Sequence, residues 1–325
     1  MDEHNRLSSA PPEIKNFFEL LLKYRIDPSG GYYGITHKTL SKELTLLANN
    51  NAVAVDSEYR YNGKKGLAYD PILESFIQGS GGHISNWEDA KQLSAPAVIR
   101  GITKRTQMES CRLNNRDFFY IDTGYFGNNS KRKLYHRITR NDVQNFGPVL
   151  DRPSDRWDKI NHKLIGFTPG SKVLLAPPSQ KLLNLYDINL ETWLDTTIET
   201  IKKHTDREIV VRLKQGRSIR VSDDTMEMAL ADDIHCLVTF SSIAATEALL
   251  YGKPAFNLGP NAATPLCLQD LRQIEHPYIP HLDEVHAWAS HLAYCQFTEF
   301  EMRNGTAWAI LNDDYRVRSK RIRRD

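Results

Sequence analysis

Short apolar runs and amphipathic stretches alternate along the chain, and their spacing predicts a succession of helices and strands. PPEIKNFFELLLKY places Ile14, Phe17, Phe18, Leu21 and Leu22 on one helical face, with Pro11 and Pro12 in the first turn. Gly30-Gly31 breaks the chain. A second helix, THKTLSKELTLLANNN, carries the stripe Leu40, Leu44 and Leu47, with Thr36 or Thr39 as N-cap. AVAVDSEYRYNGKKGLAYDP then reads as two short strands around the turn Asn62-Gly63-Lys64-Lys65-Gly66. Helix, helix and basic-tipped hairpin is the order of a winged helix, with Thr36, His37, Lys38, Thr39, Ser41 and Lys42 at the entry of its second helix. A plain helical subdomain fits the same pattern.

Gly79-Ser80-Gly81-Gly82 reads as a connection. Beyond it the period changes. APAVIRGI is a strand, a short polar helix follows, and DFFYIDTGYFG contains a buried strand ending in Asp122. Residues 150–171 are polar and contain two prolines, which suits a linker. The C-terminal region alternates more regularly: strand SKVLLAP, helix LETWLDTTIETIKKHT, strand REIVVRLK, strand HCLVTF, helix SSIAATEALLYG, strand KPAFNLG. Helices alternating with Val/Ile/Leu-rich strands predict an α/β fold with parallel strands covered on both faces. The expected division is a helical or winged-helix-like segment over 1–75, an α/β domain over 76–165, and a second α/β domain with a basic tail over 166–325.

Composition narrows the class. No run of eighteen or more apolar residues occurs in the 325-residue chain, which excludes a transmembrane helix, and MDEHNRLSSAPPE lacks the features of a secretory leader. Cys111, Cys236, Cys267 and Cys295 are scattered without a CxxC pair, which fits a reducing cytoplasm. Net charge is +2, yet Arg316, Arg318, Lys320, Arg321, Arg323 and Arg324 crowd the last residues, and Lys131, Arg132 and Lys133 precede His136, Arg137 and Arg140. Such clusters attract phosphates, whether in nucleic acid or a nucleotide, or are simply solvated charge.

The strongest local signal lies in His235–Pro254. A buried strand runs into Ser241-Ser242, which suits the cap of the following helix, and Ala244 and Ala245 leave room at its first turn. The N–H groups there face the C-terminal edge of the strand, where a diphosphate fits. Glu247 stands one turn further on, within reach of ribose hydroxyls. Gly252 and Pro254 end the helix. A capped helix without any ligand is the alternative. Asp122, at a strand end followed by Thr123-Gly124, occupies a position where open α/β sheets place ligands, or else forms a turn.

VTFSSIAATEALLYGKPAFNLG resembles a segment of capsule-polysaccharide-type glycosyltransferases of the GT-B class, in which a strand leads into Ser-Ser/Thr, a Glu follows in the helix, and Gly-Lys-Pro precedes the next strand. Lys172–Gln180 is similar to the first strand and loop of that donor domain, and Arg207–Lys214 to a strand ending in a basic residue near the phosphates. Arg212-Leu213-Lys214-Gln215-Gly216-Arg217 departs from the Lys-Pro-His-Pro-like run of many members. Phe297–Trp308 resembles the closing helix of small, phage-type members, so that the resemblance covers about 140 residues.

The resemblance implies a GT-B-like fold of two Rossmann-like domains, with a nucleotide sugar (UDP- or another NDP-sugar) as co-substrate and no further cofactor. Ser179, Gln180, Ser241 and Ser242 then belong to the donor site, with Glu247 on the ribose and Arg212, Lys214 and Arg217 neutralising the diphosphate. No DxD motif or metal-spaced cluster occurs, and no obligatory metal is expected. Asp122 is the expected general base, with His136 as rival, and Arg137, Arg140 and Asn141 lie in a loop toward acceptor or phosphate. Stereochemistry stays open. The basic segments and the phage-type look of residues 297–308 favour a hydroxymethylated pyrimidine in double-stranded DNA as acceptor, in the host cytoplasm of a bacteriophage. Capsular or surface polysaccharide is the alternative acceptor, and a non-catalytic, nucleotide-sensing DNA-binding protein is the reading from another class.

Overall fold

Among the described residues, two larger β-sheets with helices on their faces and a two-stranded hairpin organise the fold. The computed structural model describes residues 70–85, 87–102, 104–128, 133–160, 162–214 and 225–313, with the backbone of three strands between residues 53 and 67. The two N-terminal helices read from the sequence, Lys131, Arg132, Arg217 and the basic tail lie outside the described residues.

In chain order the first half comprises β1 (Val53–Val55), β2 (Glu58–Tyr61), β3 (Lys64–Leu67), α1 (Pro71–Ser80), β4 (His83–Ser85), α2 (Trp87–Ala90), β5 (Ala97–Arg100), α3 (Arg105–Leu113), β6 (Phe118–Thr123), β7 (Tyr135–Arg140) and α4 (Asp155–Ile160). The second half holds β8 (Lys172–Leu175), α5 (Gln180–Leu183), α6 (Leu190–Lys202), β9 (Ile209–Val211), α7 (Met226–Ala231), β10 (Ile234–Thr239), α8 (Ala244–Leu250) and β11 (Ala255–Asn257). The chain continues through α9 (Leu282–Ala293), β12 (Gln296–Thr298), α10 (Glu299–Arg303) and helical residues 306–313.

The first sheet has the order β12-β7-β6-β5-β1-β4 and the second β11-β10-β8-β9. The second is parallel throughout; in the first, β7 runs antiparallel to both β6 and β12. This is the expected α/β architecture of two Rossmann-like sheets.

Alternation along β6 explains how the first sheet is covered. Phe119 and Ile121 point to one face, where Val98, Ile138 and Phe297 join them against Phe76 and Ile77 of α1 and Met302 of α10. Phe118 and Tyr120 point to the other, against Met108 and Cys111 of α3. α1 forms because Asp70 accepts from the N–H groups of Ile72 (3.1 Å) and Leu73 (3.4 Å), Pro71 takes the first position, and Gly81 ends the helix at φ 68°. Gly79 lies where α1 crosses α10, and a Cβ there meets Met302 O at 1.8 Å. In the second sheet, Val173, Leu175, Val238 and Phe256 pack against α6 through Ile201, while Leu174 and Leu237 face a cluster that includes Trp288 of α9.

Four expectations change. AVAV and the hairpin do not form one pair of strands: Val53–Val55 lies between β4 and β5 in the first sheet. The hairpin is formed by β2 and β3, with Tyr61 opposite Lys64. The expected connection at Gly79–Gly82 is the end of a helix. Residues 135–140 are a strand rather than a loop, and the expected linker contains α4. Gln296–Thr298, far along the chain, pairs with β7 of the first sheet.

Candidate functional site

In a parallel sheet the C-terminal strand ends collect loops and free backbone groups, and ligands bind there. In the first sheet, that edge carries Asp122. Its carboxylate accepts hydrogen bonds from Tyr120 Oη (2.8 Å), Thr123 N (2.7 Å) and Arg137 Nη2 (3.1 Å). Burial disfavours its charge. Arg137, the Thr123 N–H, Tyr120 and the charge of Lys214 outweigh that and hold the carboxyl below its ordinary range. Arg137 is itself buried, donates to Thr123 O at 2.9 Å, and lies 5.8 Å from the Tyr125 ring centre. Burial and the Asp122 charge together push the Tyr120 phenol far up.

The loop after Asp122 has a fixed shape. Gln296 Oε1 accepts from Tyr125 N (2.7 Å) and Phe126 N (3.2 Å), while its Nε2 donates to Phe126 O (3.1 Å). Gly124 is required by that fit, since a Cβ meets Tyr135 O at 2.8 Å and Gln296 Oε1 at 2.9 Å.

His136 stands opposite Thr123 on β6 and Phe297 on β12. The residue is 5% exposed, and its Nδ1 is buried with no hydrogen-bond partner among the described residues. Burial, then Arg100 and Lys133, lower its pKa; Asp122 and Asp70 oppose them. Arg100 is paired with Asp70 at 2.5 Å.

Neutral groups hold the corresponding edge of the second sheet. Ser241 is fully buried and takes φ 52°. Its N–H donates to Asn257 Oδ1 (3.1 Å), and its carbonyl accepts from Gln144 Nε2 (2.9 Å), which comes from the first half. The Ser242 carbonyl accepts from Asn261 Nδ2 at 2.6 Å. α8 begins only at Ala244, whose N–H donates to Ser242 Oγ at 3.3 Å. The expected cap is therefore shifted: Ser241 occupies a left-handed bend, and Ser242 alone reaches the helix.

Side chains and charges of the two halves meet at several points. Gln144 bonds across to Ser241, the charge of Asp142 reaches Tyr186, and Lys214, just beyond β9, acts on Asp122. Arg105 of α3 also donates to Asn184 O (2.5 Å) and pairs with Asp187 (2.7 Å), both in the segment following β8.

Of the residues expected at the site, Asp122 and Arg137 are paired, and the charge of Asp122 interacts with His136 and with Lys214. Arg212 and Lys214 follow β9, and Arg212 N donates to Leu175 O at 2.9 Å. Ser242 and Glu247 are half-buried at α8, and the Glu247 charge reaches Tyr251. Arg140 and Asn141 lie at the opposite end of β7, level with the start of β6. There Arg140 pairs with Asp117, and Asn141 closes the bend at φ 63° by accepting from Phe118 N at 2.8 Å. Ser179 precedes α5 without a side-chain capping bond, and Gln180 ties the same segment to Asn184, Ile188 and Leu190. Sequence reasoning missed Gln144, Asn257, Asn261 and Gln296, whose partners are backbone groups that no local pattern announces.

The Gly-Lys-Pro run is structural. Lys253 is buried and donates to Thr168 O (3.1 Å) and Ile234 O (3.0 Å), while a Cβ on Gly252 meets Gly166 O at 2.1 Å. A cavity of about 40 Å³ beside this run, lined by Ile165, Phe167, Ile279 and Leu282 among others, lies at the N-terminal edge of the second sheet. It has room for little more than a water molecule. Among the described residues no group of three metal-ligating side chains occurs, and no helix is long and apolar enough to cross a membrane.

No family model matches the chain, and no curated protein matches it. Among solved structures it is similar to the beta Kdo 2,4 transferase of KpsC from Thermosulfurimonas dismutans, at 14% identity and a TM-score of 0.42 over 75% of this chain and 90% of that one. It is also similar to the beta Kdo 2,7 transferase of KpsC from the same organism, at 13% identity and a TM-score of 0.45 over 75% of this chain and 89% of that one.

Proposed function

We propose that the chain is a glycosyltransferase that moves a sugar from a nucleotide donor to a hydroxyl acceptor between the two C-terminal sheet edges. The observation that carries this reading is that the charge of Lys214, just beyond β9 of the second sheet, acts on Asp122 at the end of β6 in the first. A cation from one side and an ionised carboxylate from the other suit a reaction that builds negative charge on a departing phosphate and positive charge on the sugar.

In this reading Lys214, Arg212 and Arg217 take the phosphates, the Ser242 turn adds backbone N–H groups, and Glu247 accepts from the ribose. Cationic side chains then serve where other transferases use a metal. Asp122 stays ionised and faces the sugar.

A saccharide hydroxyl of a capsular or surface polysaccharide is the favoured acceptor. The basic segment that suggested DNA loses much of its reach: Arg137 is buried on Asp122, and Arg140 is paired with Asp117. DNA is the second reading and rests on the basic residues from Arg316 onward. The deciding assay offers UDP-, GDP- and CMP-linked sugars with acidic oligosaccharides and with hydroxymethylcytosine-containing DNA, and follows nucleotide release. Acceptor-dependent release that is lost in Asp122→Ala is expected. Release that persists in that variant removes Asp122 from the site, and no release with any donor removes the enzyme reading.

A further inference from the structure

The proton that leaves the acceptor hydroxyl needs a destination, and Asp122 is a poor one. Three donors already occupy its oxygens, and Lys214 adds a nearby positive charge. A carboxylate so satisfied is a weak base. Tyr120, its neighbour, stays protonated through neutral pH.

We infer that His136 is the general base, accepting the acceptor's proton at the start of β7, beside the C-terminal end of β6. The inference rests on the glycosyltransferase reading and assigns a role within that site. His136 pairs across β7 with Thr123, the residue after Asp122, so the ring and the carboxylate stand at the same strand end. Side-chain alternation puts them on opposite faces: Ile138 and His136 follow Ile121 and Thr123, whereas Arg137 follows Asp122.

The ring's surroundings fit the role. Nδ1 is buried with no hydrogen-bond partner among the described residues, while the residue as a whole keeps 5% of its surface exposed. A ring carrying its proton on Nδ1 presents the Nε2 lone pair. The charged groups around it come from each adjoining element: Arg100 from β5, Asp70 from the cap of α1, Lys133 from the run before β7, and Asp122 from β6. β12 contributes the uncharged Phe297. Burial and the two cations outweigh the two carboxylates and keep the ring neutral at pH 7.

The step balances. The acceptor O–H bond breaks and its proton passes to Nε2, while the oxygen's electron pair forms the bond to the anomeric carbon of the nucleotide sugar. The bond from that carbon to the phosphate oxygen breaks, and its electron pair leaves with the nucleotide. The imidazolium then loses its proton to solvent.

The test is the pH dependence of nucleotide release from the active donor among UDP-, GDP- and CMP-sugars, for the wild type, His136→Gln, His136→Asn and Asp122→Asn. A His136 base gives an acid limb below the ordinary imidazole value of about 6.5, which Asp122→Asn keeps and the His136 variants lose. His136→Gln is expected to lower kcat about 100-fold or more, leave the donor KM unchanged and abolish that limb. His136→Asn serves the same purpose if the glutamine variant melts early. Variants that keep wild-type kcat and the same acid limb overturn the assignment while the enzyme reading stands. Absence of turnover in the wild type with every donor overturns both.

Discussion

The C-terminal edges of the two sheets are built from different materials. Asp122, Arg137, His136 and Tyr120 make the first a coupled set of ionisable groups, held by charge and by one another. The second is a bend at Ser241-Ser242 held by side-chain amides: Asn257 and Gln144 on Ser241, Asn261 on Ser242. A charged edge can change protonation and so respond to pH. An amide-braced edge keeps a backbone shape whatever the pH. That division suits a site in which one side acts on protons and the other presents backbone to a ligand.

Arg137→Met should break the contrast most strongly. It strips Asp122 of its ion pair and Thr123 O of a donor, at an expected cost of about 3 kcal/mol in urea unfolding at pH 7. This is the low end for broken buried pairs, because the Asp122 side chain is 37% exposed. Asp122 is held below its ordinary pKa, so its stabilisation is present above the unfolded carboxylate value and lost as pH falls through the folded one. The difference between wild type and variant should therefore shrink as pH falls below the ordinary carboxylate range.

Asn257→Ala tests the other edge. It leaves the buried Ser241 N–H without its acceptor and removes bonds to Gly259 O and Thr264. A loss of about 2 kcal/mol is expected, equal at pH 7 and pH 5 because none of these groups titrates. A marked pH dependence in this variant contradicts the division.

Ser241→Gly is a milder probe. Glycine accepts the left-handed bend freely, and the change should stay within about 1 kcal/mol, whereas the β-branched Ser241→Val should be strained and clearly less stable. Lys214→Gln is the smallest: melting should not move, while the titration of Asp122, followed by NMR, should shift upward. A fixed Asp122 titration separates the two edges and removes the observation on which the function rests.

Much of the architecture is legible in the sequence, for physical reasons. β5, β6, β8, β10 and β11 are buried strands and read as apolar runs, and Gly252-Lys253-Pro254 does end a helix. Tertiary partners hide the rest. Tyr135–Arg140 looks polar, yet Arg137 is neutralised by Asp122 on β6 and Arg140 by Asp117 just before it. Gly79 looks like loop sequence, yet it is glycine to admit Met302 O from more than two hundred residues away. At the site the sequence points to Asp122, His136, Arg137 and Lys214 but misplaces Arg140, Asn141 and the helix start. The amides that brace Ser241-Ser242 act across long separations and leave no periodic trace.

The central claim is that a nucleotide sugar lies between these two edges. Hydrogen–deuterium exchange with and without UDP-, GDP- and CMP-sugars tests it most directly. The account predicts that one donor slows exchange at residues 212–214 and 241–245 together with 122–125. Protection confined to the groove around Ile165 and Ile279, or no protection with any donor, would contradict it.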